Sequence, residues 1–217
     1  MKYRAVLTFF MAFTVFSSNA QATSEDTFWQ WFTKNEARLF SFEKNQEAIF
    51  DELGTEMERV NSDLTFEFSP ILPNKKREFV ISAGGIKSAF PAVESLYQKA
   101  PKLKRWVWVK YRPRRTPIND IEYGDKNIPA KDVHYLLAKD GDKPGIVLFF
   151  DGYNEKEKRI FGQIGYLYLD EALGEYAVEM QVGFIEIQPR TSKYFVQARP
   201  IAELPSHFDN FLSRRTH

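Results

Sequence analysis

Cysteine is absent from all 217 residues. Disulfide staples, thiol nucleophiles and Cys-ligated zinc or iron–sulfur centres are thereby excluded, and burial alone must hold the fold together. Histidine is nearly absent too. His134, His207 and His217 stand apart in the chain, with no H-E-x-x-H and no calcium-loop pattern, so neither a metal nor a cofactor is expected. Asp140-Gly141-Asp142 and Asp151-Gly152 carry too few ligands for a cation and read as turns. No G-x-S-x-G, G-x-x-x-x-G-K-[ST] or G-x-G-x-x-G occurs, which removes the signatures of the nucleophile elbow, the P-loop and the dinucleotide fold. Excess charge is also missing. The net value is +1, which gives no reason to expect nucleic acid or an anionic membrane as partner.

One apolar run exists, and it lies at the start. Lys2 and Arg4 precede an apolar stretch from Ala5 to Phe16, and Ala20-Gln21-Ala22 supplies the A-x-A spacing of a signal-peptidase site. The run is too short for a spanning helix, which needs about 20 residues. The expectation is a cleaved leader over 1–22 and a soluble mature chain in the periplasm or outside a bacterial cell, with no integral membrane segment left. Loss of Lys2 and Arg4 takes the charge from +1 to −1. The remaining residues are rich in aromatics, with 20 Phe and 10 Tyr in the whole chain.

Beyond the leader the hydrophobic period decides the elements. Residues 23–62 read as a pair of helices: Asp26 to Phe40, with Phe28, Phe32 and Leu39 on one side, and Glu43 to Val60, with Ile49, Leu53 and Met57 as a stripe. From Asp63 the period becomes two. Leu64, Phe66 and Phe68, then Phe79, Ile81 and Ala83, alternate as a hairpin; Ile86 to Ala100 follows as a helix and Arg105 to Arg115 as a strand. Pro113 to Lys131 reads as a boundary. The order then recurs as strand 133–139, strand 145–150, helix 154–173 and strand 183–189, with Gly174-Glu175-Tyr176 ending the helix and turning the chain toward the last strand. Residues 191–217 form a C-terminal segment with a short helix from Glu203 to Leu212.

Residues 63–190 therefore read as a duplicated α+β core of two tandem strand-strand-helix-strand units. Glu78-Phe-Val-Ile-Ser-Ala-Gly-Gly answers Gly145-Ile-Val-Leu-Phe-Phe-Asp-Gly, and Val109-Lys-Tyr-Arg-Pro-Arg answers Ile185-Glu-Ile-Gln-Pro-Arg. Joining the units into one six-stranded, mostly antiparallel sheet would bury both apolar faces. That alignment sends Phe66, Phe79, Val107, Val109, Tyr135, Leu148 and Ile185 toward the repeat helices. Trp106, Trp108, Lys110, His134, Phe149 and Glu186 then share the opposite face. A face so aromatic is either covered by the N-terminal helices or open as a partner surface.

Phe28, Trp29, Trp31 and Phe32, the FVISAGG strand end, the Trp106 to Arg114 strand closing in Arg-Pro-Arg, and Leu173-Gly-Glu-Tyr176 together resemble an uncharacterised bacterial family of the domain-of-unknown-function type. The resemblance covers most of the mature chain and implies no activity, ligand or catalytic residue.

The candidate binding residues are Trp106, Trp108 and Lys110, with Arg112, Arg114 and Arg115 behind them. The expected role is a non-enzymatic binding or interaction protein of the cell envelope, its partner an envelope protein or a small ligand. The alternative is a periplasmic hydrolase at the junction of the repeats, using His134 and a nearby carboxylate. Paired acids such as Asp170-Glu171 and Glu175 read as solvated or capping residues, since neighbours on a helix point in different directions. Gly84-Gly85 reads as a turn whose amides could also meet an anion.

Overall fold

The computed structural model describes residues 22–214. Residues 1–21, where most of the expected leader falls, and residues 215–217 of the tail lie outside the described residues. Helix α1 (Ser24–Lys34) starts on a capping box in which Thr23 and Asp26 satisfy each other's backbone amides, and it buries Phe28, Trp29 and Phe32. Asn35 and Asn45 interrupt what was expected to be two helices. The segment becomes α2 (Glu36–Phe40), a 3₁₀ turn at Phe42–Lys44 and α3 (Gln46–Glu58).

The first unit is β1 (Thr65–Phe68), β2 (Arg77–Ser82), α4 (Phe90–Gln98) and β3 (Trp106–Lys110). β2 pairs antiparallel with β1 and parallel with β3, so α4 is the crossover. The second unit is β6 (His134–Asp140), β7 (Lys143–Phe150), α5 (Lys158–Leu173), α6 (Glu175–Gln181) and β8 (Ile185–Pro189). It repeats the pattern: β7 is antiparallel to β6 and parallel to β8, and a short β9 (Arg199–Pro200) adds to the free edge of β6. Between the units, β4 (Ile121–Tyr123) and β5 (Lys126–Ile128) make a small ribbon inside the expected linker. Helix α7 (Leu204–Ser213) ends the described chain.

The fold is α+β with mostly antiparallel pairing, but the two units do not share one sheet. Each closes its own core. In the first, α1, α3 and α4 cover Phe79, Ile81 and Trp106; in the second, α5 and α7 cover Tyr135, Ile146, Leu148 and Phe150. With both helix-facing surfaces already buried, the strand edges need not join. Instead α6 bridges them. Gly174 and Glu175 do not turn the chain toward β8, as expected, but open this second helix. Its Tyr176 stacks on Phe90 and meets Tyr111 at a tilt, both of the first unit, while its Val178 belongs to the second core.

One register finding corrects the face assignment. Phe79 pairs with Trp108 and Ile146 pairs with Ile185, so Trp108, not Val109, occupies the place of Ile185. The alignment on the shared Pro-Arg ending is one residue out, and in a strand that exchanges the two faces. Tyr111, at φ +62°, follows β3 at the point where the two units fall out of step. Both alternating sets of β3 are apolar, so alternation could not choose between them; burial does. A tryptophan buries about 150–250 Å², worth roughly 4–6 kcal/mol at 25 cal/mol per Å², against about 1.5–3 kcal/mol for a valine. The indoles therefore turn to the core with Phe66 and Phe79, and Val107 and Val109 stay half-buried. For the second unit, Tyr135, Leu148 and Ile185 face the helices as expected.

Candidate functional site

The two units meet in a cleft of about 240 Å³. From the second unit, α5 presents Gln163, Tyr166, Leu167 and Asp170, whose spacing places them along one side of the helix. Gly84 and Gly85, at the turn after β2, and Arg112, just past β3, come from the first unit, and Tyr123 of β4 closes one side. The Tyr123 hydroxyl donates to Gln163 Oε1 at 2.7 Å. Tyr166 is exposed at the mouth.

Glu175 does not line the cleft but is fully buried and holds the backbone of two residues that do, Gly85 and Arg112. Its Oε1 accepts from the Ala83 and Gly85 amides at 2.8 and 3.3 Å, and its Oε2 accepts from the Arg112 amide at 3.0 Å. The Glu175 amide in turn donates to the Arg112 carbonyl at 2.9 Å. The amides after β2 thus meet an anion, as strand-to-helix turns can, but the anion is the chain's own side chain. Gly174 makes the approach possible. At φ +83°, a side chain there would be strained and would meet the Arg112 carbonyl at 3.4 Å.

The Arg112 guanidinium lies between two carboxylates, donating from Nε to Glu67 Oε1 and from Nη1 to Asp170 Oδ2, the latter at 3.3 Å. Burial opposes its charge, but Glu67, Asp170 and Glu175 outweigh burial and hold the arginine above its ordinary pKa. Asp170 goes the other way. Burial pushes its carboxyl up to about 7; Arg112 opposes the rise, and Glu175 and Glu67 add to it. Glu179 of α6 lies against Gly85 and is raised by burial and by Glu175, with Lys87 opposing. The Tyr166 hydroxyl is raised by burial and then by Glu179 and Asp170. Asp170 and Glu175 are accordingly buried network residues rather than solvated ones, whereas Glu171, one residue on, turns outward to Asn119.

The residues expected to bind are divided among other tasks. Trp106 is buried and Trp108 half-buried beneath α1: the indoles stack at 5.8 Å, Phe32 meets both edge-on, and Trp29 lies 4.7 Å from Trp108. This face belongs to the core. Lys110 pairs with Glu94 at 2.9 Å. Arg114 forks onto Asp209 of α7 and donates to the Leu173 carbonyl, and Arg115 reaches Glu78 at 3.2 Å. Arg112, Arg114 and Arg115 are therefore stitches between elements, and of the six residues only Arg112 lines the cleft. His134 does not line it. Its ring packs 5.2 Å from Phe195 and its Nδ1 lies 3.4 Å from the Asp132 carbonyl, so the hydrolase reading loses its base at the junction. Gln163 and Tyr166 were not singled out from the sequence, and Asp170 and Glu175 were read as solvated or capping acids. The one signal was polar residues recurring at helical spacing within an otherwise apolar α5.

Among the described residues no helix is long and apolar enough to cross a membrane, and no group of three or more His, Asp or Glu is placed to hold a metal ion. Comparison of the chain with protein-family models, with curated proteins and with solved structures finds no match.

Proposed function

We propose that the chain is an exported envelope protein that binds a small polar ligand in the cleft between its two units. The carrying observation is the origin of the lining: Gly85 and Arg112 come from one unit, Gln163, Tyr166 and Asp170 from the other. Ligand sites favour such junctions, where a few polar groups converge in a concave, partly aromatic setting. Export is supported by the leader pattern and by the position of the first capped helix, which starts at Ser24 directly behind the A-x-A site. A mature chain beginning at Thr23 follows from that reading. The test is native mass spectrometry of the protein isolated from the envelope. An adduct in the wild type that Tyr166→Leu loses is the expected result; a ligand-free mature chain, or a chain starting at Met1, speaks against the reading.

A second reading places acid–base chemistry in the same cleft. A buried carboxyl at about 7 is poised to exchange a proton near neutrality. It replaces His134 with Asp170 as the ionisable group. Turnover of a ligand that Asp170→Asn still binds but no longer converts distinguishes an enzyme from a binding protein.

A further inference from the structure

The charges around the cleft do not balance, and the imbalance points to a class of ligand. Four carboxylates gather there, Glu67, Asp170, Glu175 and Glu179, against Arg112 and the solvent-exposed Lys87. Most of this charge is already committed. Glu67 and one oxygen of Asp170 hold Arg112, and Glu175 is spent on three backbone amides. Two acceptors remain. Asp170 is only 5% exposed, yet its Oδ1 accepts no hydrogen bond among the described residues. The half-buried Glu179 carboxylate likewise has no hydrogen-bond donor among them. Asp170 lines the cleft and its Oδ1 is not fully buried, so this oxygen keeps an open place for a donor. Between these carboxylates stands the exposed ring of Tyr166, whose electron-rich face attracts cations.

From this arrangement we infer that the cleft takes a small organic cation carrying a primary ammonium group, which donates to Asp170 Oδ1 and lies against the Tyr166 ring. The inference rests on the cleft being the ligand site. An anion would meet Arg112 already neutralised and the amides of Ala83, Gly85 and Arg112 already filled by Glu175. A neutral ligand would leave the excess of carboxylates uncompensated. A bare metal ion would need three converging donors, which the described residues do not provide. An ammonium group brings compact charge and several N–H donors at once.

The carboxyl of Asp170, raised first by burial and then by Glu175 and Glu67 against the opposing Arg112, sets the pH dependence. The titratable and charged groups around the site are Asp170, Glu179, Glu67, Glu175, Arg112, Lys87, Tyr123 and Tyr166. Asp170 is raised to about 7. Cation binding therefore strengthens as pH rises through about 7 and weakens below it.

The test is an NMR titration of the mature chain at about pH 8 with n-butylammonium, n-butanol and butyrate, which share one alkyl group and differ in head-group charge. The expected result is that n-butylammonium shifts the Tyr166 and Gln163 side-chain resonances more strongly than the other two. Its affinity should fall about tenfold or more in Asp170→Asn, as for loss of a charge-assisted bond, and should fall in the wild type at about pH 5. Glu179→Gln, at a half-buried residue with no hydrogen bond among the described residues, is the second variant should Asp170→Asn not fold; it should weaken n-butylammonium severalfold. Butanol or butyrate binding the cleft as well as the ammonium overturns the cation assignment while the cleft stands as a site. So does ammonium binding that both folded variants leave unchanged. If none of the three probes moves the cleft resonances at millimolar concentration, the ligand class and the cleft reading fall together.

Discussion

The two units share a connectivity and differ in how each ends its middle strand. After β2 the chain turns through Ala83, Gly84 and Gly85, and two of its amides are claimed by Glu175 from the other unit. After β7 it turns through Asp151 and Gly152, and the Gly152 amide takes the oxygen of Asp151 next door at 3.1 Å. One turn is a docking point and the other satisfies itself. Their crossover helices differ to match. α4 has 9 residues and relies on α1 and α3 to help cover its aromatic sheet, whereas α5 has 16 and continues through Gly174 into α6, the element that reaches back to the first unit. A repeated topology can thus carry an asymmetric joint, and the asymmetry creates the cleft.

The comparison can be broken most directly at the two turns. Glu175→Gln takes an acceptor from buried amides, and the cost should be about 3 kcal/mol, in the range for hydrogen bonds to charged groups and the unsatisfied donors they leave. Asp151→Ala, at the self-satisfied turn, should cost about 1 kcal/mol or less. Urea unfolding of both variants gives the two values; equal losses would mean that the turns do not differ in role.

Comparable in size is the pH dependence held in Asp170. Its carboxyl is raised in the folded chain to about 7, so between the ordinary aspartate range and that value the folded state binds more protons than the unfolded state. Stability from this group therefore falls as pH rises through that window. Asp170→Asn lacks the slope. Relative to wild type, the variant should gain on the order of 2–4 kcal/mol between about pH 4 and about pH 8. Parallel stability curves for the two proteins would remove the charge deficit from the joint.

The smallest effect lies away from the joint, where α1 meets α4. The Ser95 hydroxyl donates to Glu25 Oε1 at 2.6 Å, and this bond, with Thr23 and Lys99, holds the Glu25 carboxyl down to about 2. A lowered acid contributes stability above its unfolded pKa and loses it as pH falls toward the folded one. Glu25→Gln should therefore cost about 1–2 kcal/mol at neutral pH, and the difference should vanish near pH 2. A loss that persists in acid would assign the effect to packing instead.

How far the sequence could be read varied from residue to residue. The alternation of Phe66, Phe68, Phe79 and Ile81, and the run from Ile146 to Phe150, marked strands because period-two burial is local information. The ribbon at Ile121–Ile128 was missed, since each of its strands has three residues and no alternation to measure. The cleft was missed for another reason. Asp170 and Glu175 look like any helix acids, and only a neighbour about 60 positions earlier, Arg112, makes them buried.

Local chemistry was enough for the strand-strand-helix-strand order within each unit, the α+β class and the exclusion of cysteine-based sites, because each depends on residues close together in the chain. Three matters were decided in tertiary structure alone: that the units close separate sheets, that Trp106 and Trp108 rather than Val107 and Val109 face the helices, and that Glu175 rather than a ligand fills the amides after β2. In each, alternatives equal in local pattern were separated by burial or charge contributed from far along the chain. Such long-range terms take their value only once the chain has brought the partners together.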